Sequence, residues 1–259
     1  MMWRLYPLAL LATLAAVQAR AAVPDALSAD VPSAGLTHLS FVAGSGEVKV
    51  TASADEAVHV RLDLEQRQKS FLWLFRWMSD STAHDLAGAR LNQERSGDGL
   101  SVSLIYPSDE SHSDVKQRWT IALPARFAVN AAMGAGHLVI RDVSGGVTAR
   151  LETGDLTIHV PGGPLKASTG VGRVHAITDS AQPGRVSVKS SFGLAALSFN
   201  GKLYAPPPSA FHFIGNSELQ QATGKDDVEL RVTVGEADLR VGPVGNDKGY
   251  QGLFDDDDK

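Results

Sequence analysis

Val129-Asn130-Ala131-Ala132-Met133-Gly134-Ala135-Gly136-His137-Leu138-Val139-Ile140 is echoed eighteen residues later by Val147-Thr148-Ala149-Arg150-Leu151-Glu152-Thr153-Gly154-Asp155-Leu156-Thr157-Ile158. A third copy, Leu165 to Ala176, is centred on Gly172, and a fourth, Val186 to Leu197, on Gly193, which follows 21 residues after Gly172. Aligned on these glycines, the aliphatic positions coincide. Val129, Val147, Leu165 and Val186 stand seven residues before the glycine, and Ala131, Ala149, Ala167 and Val188 stand five before it. The residue between them is polar every time: Asn130, Thr148, Lys166, Ser187. Two further copies lie outside the block, around Gly46 (Leu39, Phe41, Val48, Val50) and around Gly235 (Val228, Leu230, Ala237, Leu239). A fixed period with one supersecondary unit per repeat marks a stacked architecture.

Within each unit the apolar residues recur at i and i+2, which puts one set of side chains on each face of a strand and excludes an amphipathic helix. Two runs of about five residues flank each glycine, and Gly145-Gly146, Pro161-Gly162-Gly163-Pro164 and Pro183-Gly184 supply the turns on the other side. Glycine is expected at the bend, where the backbone needs positive φ or close approach. The reading is an all-β chain: a parallel β-solenoid (β-helix) of about 18-residue coils, each strand pairing with its equivalent roughly 4.8 Å away in the next coil.

Working outward, Met1 to Ala22 reads as a secretory signal peptide: Arg4, the apolar run Leu5–Val17, then Ala19-Arg20-Ala21 as an A-x-A-like cleavage site. The apolar run is shorter than the ~20 residues of a membrane span. Export to the periplasm, the cell surface or the medium follows. Residues 23–36 read as a loose leader, and the solenoid domain as 37–241. Two insertions interrupt it, at 65–115 and, irregularly, at 202–225 around Tyr204-Ala205-Pro206-Pro207-Pro208. Val58–Leu64 and Trp119–Leu123 read as strands, and Arg90–Arg95 with Leu100–Tyr106 as a hairpin about Ser96-Gly97-Asp98-Gly99. Residues 242–259 read as a disordered tail ending in Asp255-Asp256-Asp257-Asp258-Lys259, an enterokinase-site sequence that is either an expression scar or native.

Composition narrows the function. A net charge of −5 argues against a nucleic-acid partner, and the absence of cysteine excludes disulfides, thiolate metal sites and a Cys nucleophile. No catalytic motif (HExxH, GxSxG, P-loop) and no EF-hand loop occurs, and the histidines are scattered without zinc-ligand spacing. No cofactor, metal or catalytic residue is predicted.

Two features stand out as candidates for contact. Phe71, Leu72, Trp73, Leu74, Phe75, Trp77 and Met78 form an aromatic segment; as a short helix, Phe71, Leu74, Phe75 and Met78 share one face and Trp73 and Trp77 another. It suits a cap over an open solenoid end, a partner-binding patch or a membrane contact. The other is the column just after each glycine, Glu47, His137, Asp155, Arg173, Leu194 and Glu236, where stacking would set Asp155 between two potential cations. A register-holding charge ladder is the favoured reading of it.

Ser45-Gly46-Glu47-Val48-Lys49-Val50, the Leu123-Pro124 strand end, Gly136-His137-Leu138-Val139-Ile140, Thr153-Gly154-Asp155-Leu156-Thr157-Ile158 and Gly172-Arg173-Val174 resemble the bacterial putative-adhesin domains, cell-envelope β-solenoids of unknown function. The resemblance spans roughly Leu36 to Val241 and brings no catalytic residues with it. It implies a non-enzymatic envelope protein that binds or scaffolds, with an envelope protein or surface glycan as partner. The alternatives are a polysaccharide-active enzyme on the same fold, or a membrane-associated accessory protein acting through the aromatic segment.

Overall fold

The computed structural model describes residues 26–66, 86, 88–107, 115–180, 184–199, 210–214, 217–223 and 226–241, and these contain strands and turns but no helix. In chain order the strands are β1 (Leu27–Pro32), β2 (His38–Ala52), β3 (Ala57–Gln66), β4 (Arg90–Ser96), β5 (Gly99–Ile105), β6 (Val115–Leu123), β7 (Ala128–Arg141), β8 (Val147–Val160), β9 (Leu165–Thr178), β10 (Arg185–Phe199), β11 (Ala210–Ile214), β12 (Ser217–Thr223) and β13 (Asp226–Val241). The signal peptide, the Phe71–Met78 segment and the 242–259 tail lie outside the described residues.

The strands β2, β7, β8, β9, β10 and β13 lie side by side in that order, all parallel. Their register sets Gly46, Gly136, Gly154, Gly172, Gly193 and Gly235 beside one another. This all-β, largely parallel arrangement is consistent with a β-solenoid. Each strand runs through its glycine, so the two runs read from the sequence are halves of one strand. Inward residues fall at Val129, Ala131 and Met133 before the glycine and at Leu138 and Ile140 after it, a step that changes parity. The residue two before the glycine, Gly134 in β7 and Glu152 in β8, drops out of the ladder and makes the corner.

Glycine is required at this corner for two reasons. Gly154 has φ +128°, a region closed to most L residues. A Cβ there would also stand 2.0 Å from the carbonyl oxygen of Gly136, and Gly172 and Gly193 repeat the contact at 2.0 Å with the glycine before them.

The stack does not follow chain order at its N-terminal end. Strand β2 lies between β7 on one side and β5 plus β6 on the other, β5 along its first half and β6 along its second. Thus β5 and β6 form the next layer, with Gln117 in the register place of the glycine. Gln117 is buried and serves several groups. Its Oε1 accepts from Trp119 Nε1 at 2.9 Å and from the Gly44 amide at 3.0 Å, and its Nε2 donates to the Tyr106 hydroxyl at 2.9 Å. Trp119, Phe41 and Phe127 are the bulkiest fully buried members of one core that also takes the small aliphatics of every layer.

Both ends of the stack finish in antiparallel strands. Strand β4 pairs β5 and β3 pairs β6, with β1 beyond β3; at the other end β12 pairs the first half of β13 and β11 the second. Two expectations change accordingly. The 23–36 leader is not loose over its whole length: β1 pairs Leu27–Pro32 with β3, and Val31 and Leu36 are buried, because Leu27, Ala29 and Val31 alternate and face the core. Within 65–115 the hairpin read from the sequence is β4 and β5, and Leu86, Leu100 and Val102 are core residues. The 202–225 insertion is not irregular throughout, since it holds β11 and β12.

Candidate functional site

The aromatic residues Phe71, Leu72, Trp73, Leu74, Phe75, Trp77 and Met78 fall outside the described residues, so the structure assigns them no contact. The column after the glycines is described from Glu47 to Leu194, and from Glu47 to Arg173 it is a charge ladder. Arg173 grips Asp155 with two hydrogen bonds, from Nε at 2.8 Å and from the guanidinium terminus at 2.7 Å, and His137 Nδ1 stands 3.6 Å from Asp155 on the other side. The column continues to Glu47, which takes Lys116 at 2.5 Å and Arg118 at 3.4 Å. Arg118 occupies the same register position as Glu47 on the neighbouring strand. The sequence reading missed it because β6 has Gln117 in place of the aligning glycine.

The Arg173 hydrogen bonds hold the Asp155 carboxyl below its ordinary range, against the opposing effect of partial burial. Lys116, with help from Arg118, does the same to Glu47. Each acid is thus kept ionised by a cation of its own. A general acid needs the opposite, a carboxyl raised toward neutrality by burial or by a like charge. The ladder matches charges along the stack and fixes register.

Beyond Arg173 the corner turns apolar. Leu194 takes the next ladder position, and in the adjoining column Val171, Phe192 and Val234 lie in register, each about half exposed.

On the other side of the bent strands is an open groove of about 470 Å³ that crosses β2, β7, β8, β9 and β10. Its polar lining is one register row, Ser40, Asn130, Thr148, Lys166 and Ser187, and Ala128, Gly145, Gly146 and Pro164 line it beside that row. This row is the outward-facing position between two core residues in the first half of each strand, the position that is polar in every repeat. At about 4.8 Å per strand the five-strand row is roughly 19 Å long.

His38 closes one end of the groove. Its Nδ1 is 2.6 Å from Thr37 Oγ1 and 3.1 Å from Asp98 Oδ2, and Thr37 Oγ1 donates to Asp98 at 2.5 Å. That hydrogen bond chiefly lowers the Asp98 carboxyl. A relay to a nucleophile places the hydroxyl and the carboxylate on opposite ring nitrogens. Here both meet the same nitrogen, and the trio instead ties the β4–β5 turn to the start of β2. Among the described residues no three His, Asp or Glu side chains are grouped to hold a metal ion, and no helix is long and apolar enough to cross a membrane.

No protein-family model and no curated protein sequence matches the chain. Solved structures similar to it include a putative cell adhesion protein from Clostridium sporogenes ATCC 15579, at 10% identity over 84% of this chain and 95% of that one, with a TM-score of 0.38. A putative adhesin from Bacteroides fragilis NCTC 9343 is similar at 9% identity over 85% of this chain and 95% of that one, with a TM-score of 0.28.

Proposed function

We propose that the mature protein is an exported β-solenoid of the cell envelope that works by non-covalent, adhesin-like binding, with a surface glycan or an envelope protein as its partner. One observation carries this reading: five adjacent strands present the same register position, Ser40, Asn130, Thr148, Lys166 and Ser187, along one open groove. Hydrogen-bonding side chains repeated at strand spacing on a rigid sheet suit an extended ligand that repeats on a similar scale. Export rests on the signal-like Met1–Ala22 segment.

The test uses protein lacking residues 1–22, offered to immobilised envelope glycans and envelope extract. Beside it runs Thr148→Trp, an exposed substitution that fills the middle of the groove. The expected result is saturable binding by the parent and its loss in a variant with an unchanged circular dichroism spectrum. Equal binding by both proteins refutes the groove as the contact surface, and release of reducing sugar ends refutes the non-enzymatic reading.

A further inference from the structure

The chain as a whole is acidic, with a net charge of −5, yet the groove face is cationic. Lys166 stands in the polar row and Arg185 lines one end. Arg150, beside the groove lining, is exposed one row further along β8, and diagonal neighbours on a sheet face lie roughly 7–8 Å apart, so Arg150 and Lys166 are within reach of one ligand. Neither Arg150 nor Lys166 forms an ion pair among the described residues. Among the described residues the carboxylates bordering this face are Glu152 at the corner, Glu229, which is engaged by Lys189 at 2.7 Å and by the Ser187 hydroxyl at 2.9 Å, and, beyond the β2 end, Asp98, engaged by Thr37 and His38, and Glu94; none stands beside Lys166 in the row. Unpaired cations in a concave strip concentrate ligands of the opposite sign.

The shape of the groove selects among anions. The lining combines weakly polar surface at Ala128, Gly145, Gly146 and Pro164 with the hydroxyl, amide and ammonium groups of the Ser40-to-Ser187 row. A pyranose has the matching distribution, with C–H bonds across its faces and hydroxyls at its edge. An extended peptide adds itself to a sheet through an open strand edge. The strands beneath this groove are paired on both sides and leave no such edge. From the groove reading above, we infer that the ligand is a linear polysaccharide bearing carboxylates, laid across β2 to β10 with its acid groups on Lys166 and Arg150.

The experiment measures binding of polygalacturonate, neutral dextran and poly-L-glutamate to the mature protein at low and at raised salt. Beside the parent run Lys166→Gln/Arg150→Gln, Thr148→Trp, and the control Lys49→Gln, which removes an exposed cation from the other half of β2. The double variant should lose at least about tenfold in polygalacturonate affinity, the scale of one charge-assisted hydrogen bond, with Lys49→Gln unchanged. Raised salt should weaken the parent and leave the double variant less affected. Equal affinity for dextran, blocked by Thr148→Trp but indifferent to the charge change, overturns the acidic preference and leaves the groove standing. Poly-L-glutamate binding as tightly as polygalacturonate overturns the sugar assignment. No binding of polygalacturonate overturns the inference outright.

Discussion

Gly154→Ala isolates what holds the stack together. The added Cβ would lie 2.0 Å from Gly136 O, 2.9 Å from Gly136 C and 3.0 Å from Gly136 N, all of them backbone atoms of the adjoining strand. Real Cβ contacts stop near 3.0 Å, so β7 and β8 must part by about 1 Å at the corner. Hydrogen bonds fade beyond about 3.5 Å, so the ladder bonds flanking the corner go with it. Overpacking of this kind costs about 1–3 kcal/mol and the left-handed backbone about 1–2 kcal/mol more, a total of roughly 2–5 kcal/mol. At about 2–4 °C per kcal/mol, the midpoint of thermal unfolding should fall by roughly 5–20 °C. Two controls separate the terms. Gly97→Ala has φ +61° but nothing within 4 Å, so it carries a left-handed backbone cost with no contact cost. Gly162→Ala has ordinary contact, at 3.4 Å from Ser180 Cβ, and should melt like the parent. Circular dichroism melts of the four proteins decide it. If Gly154→Ala melts within about 2 °C of Gly97→Ala, close strand approach at the glycines is not what the fold depends on.

Two further outcomes follow from the geometry. Gln117→Leu leaves the buried Trp119 N–H without its acceptor; at about 1–3 kcal/mol for an unsatisfied buried donor, chemical denaturation should show a loss of about that size. His59, held by Asp30 at 2.6 Å and Asp55 at 3.0 Å, has its pKa raised above the ordinary 6.5, chiefly by the Asp30 hydrogen bond. Its contribution is therefore complete below pH 6.5 and disappears as pH climbs through the raised value. The stability gap between the parent and His59→Gln should narrow on that alkaline side, and a gap that widens there refutes the ion-pair account. At the acid end Asp55, Asp98 and Asp155, all lowered from 3.8, give stability that is present above that value and lost as pH falls below it.

Glycine spacing was enough to read the parallel register from Gly46 to Gly235, because a corner that excludes every Cβ leaves a mark at one fixed position per layer. The groove was half visible: Asn130, Thr148, Lys166 and Ser187 stood out as a polar row, but only pairing shows that Ser40 joins it and that the row borders an open space. Where β2 sits was not legible, since no local pattern says that residues 38–52 slip between two later segments. Strand β12 escaped for a different reason: Ser217-Glu218-Leu219-Gln220-Gln221-Ala222-Thr223 has almost no apolar alternation, and its place follows from the edge that β13 offers. Arg118 was hidden because its layer lacks the glycine that anchors the alignment.

The reversed strands at the two ends have a consequence for assembly. Every internal layer presents the next with the same comb of amide and carbonyl groups, so a bare layer is a template on which any other layer, in this chain or another, could grow. Strands running the wrong way consume that template at both ends of the stack. They act as terminators, and what they terminate is a filament. Removing β11 and β12 would leave β13 open along its length while β3 and β4 still close the other end, so the bared edge would join one other copy edge to edge, and a filament would need both ends opened.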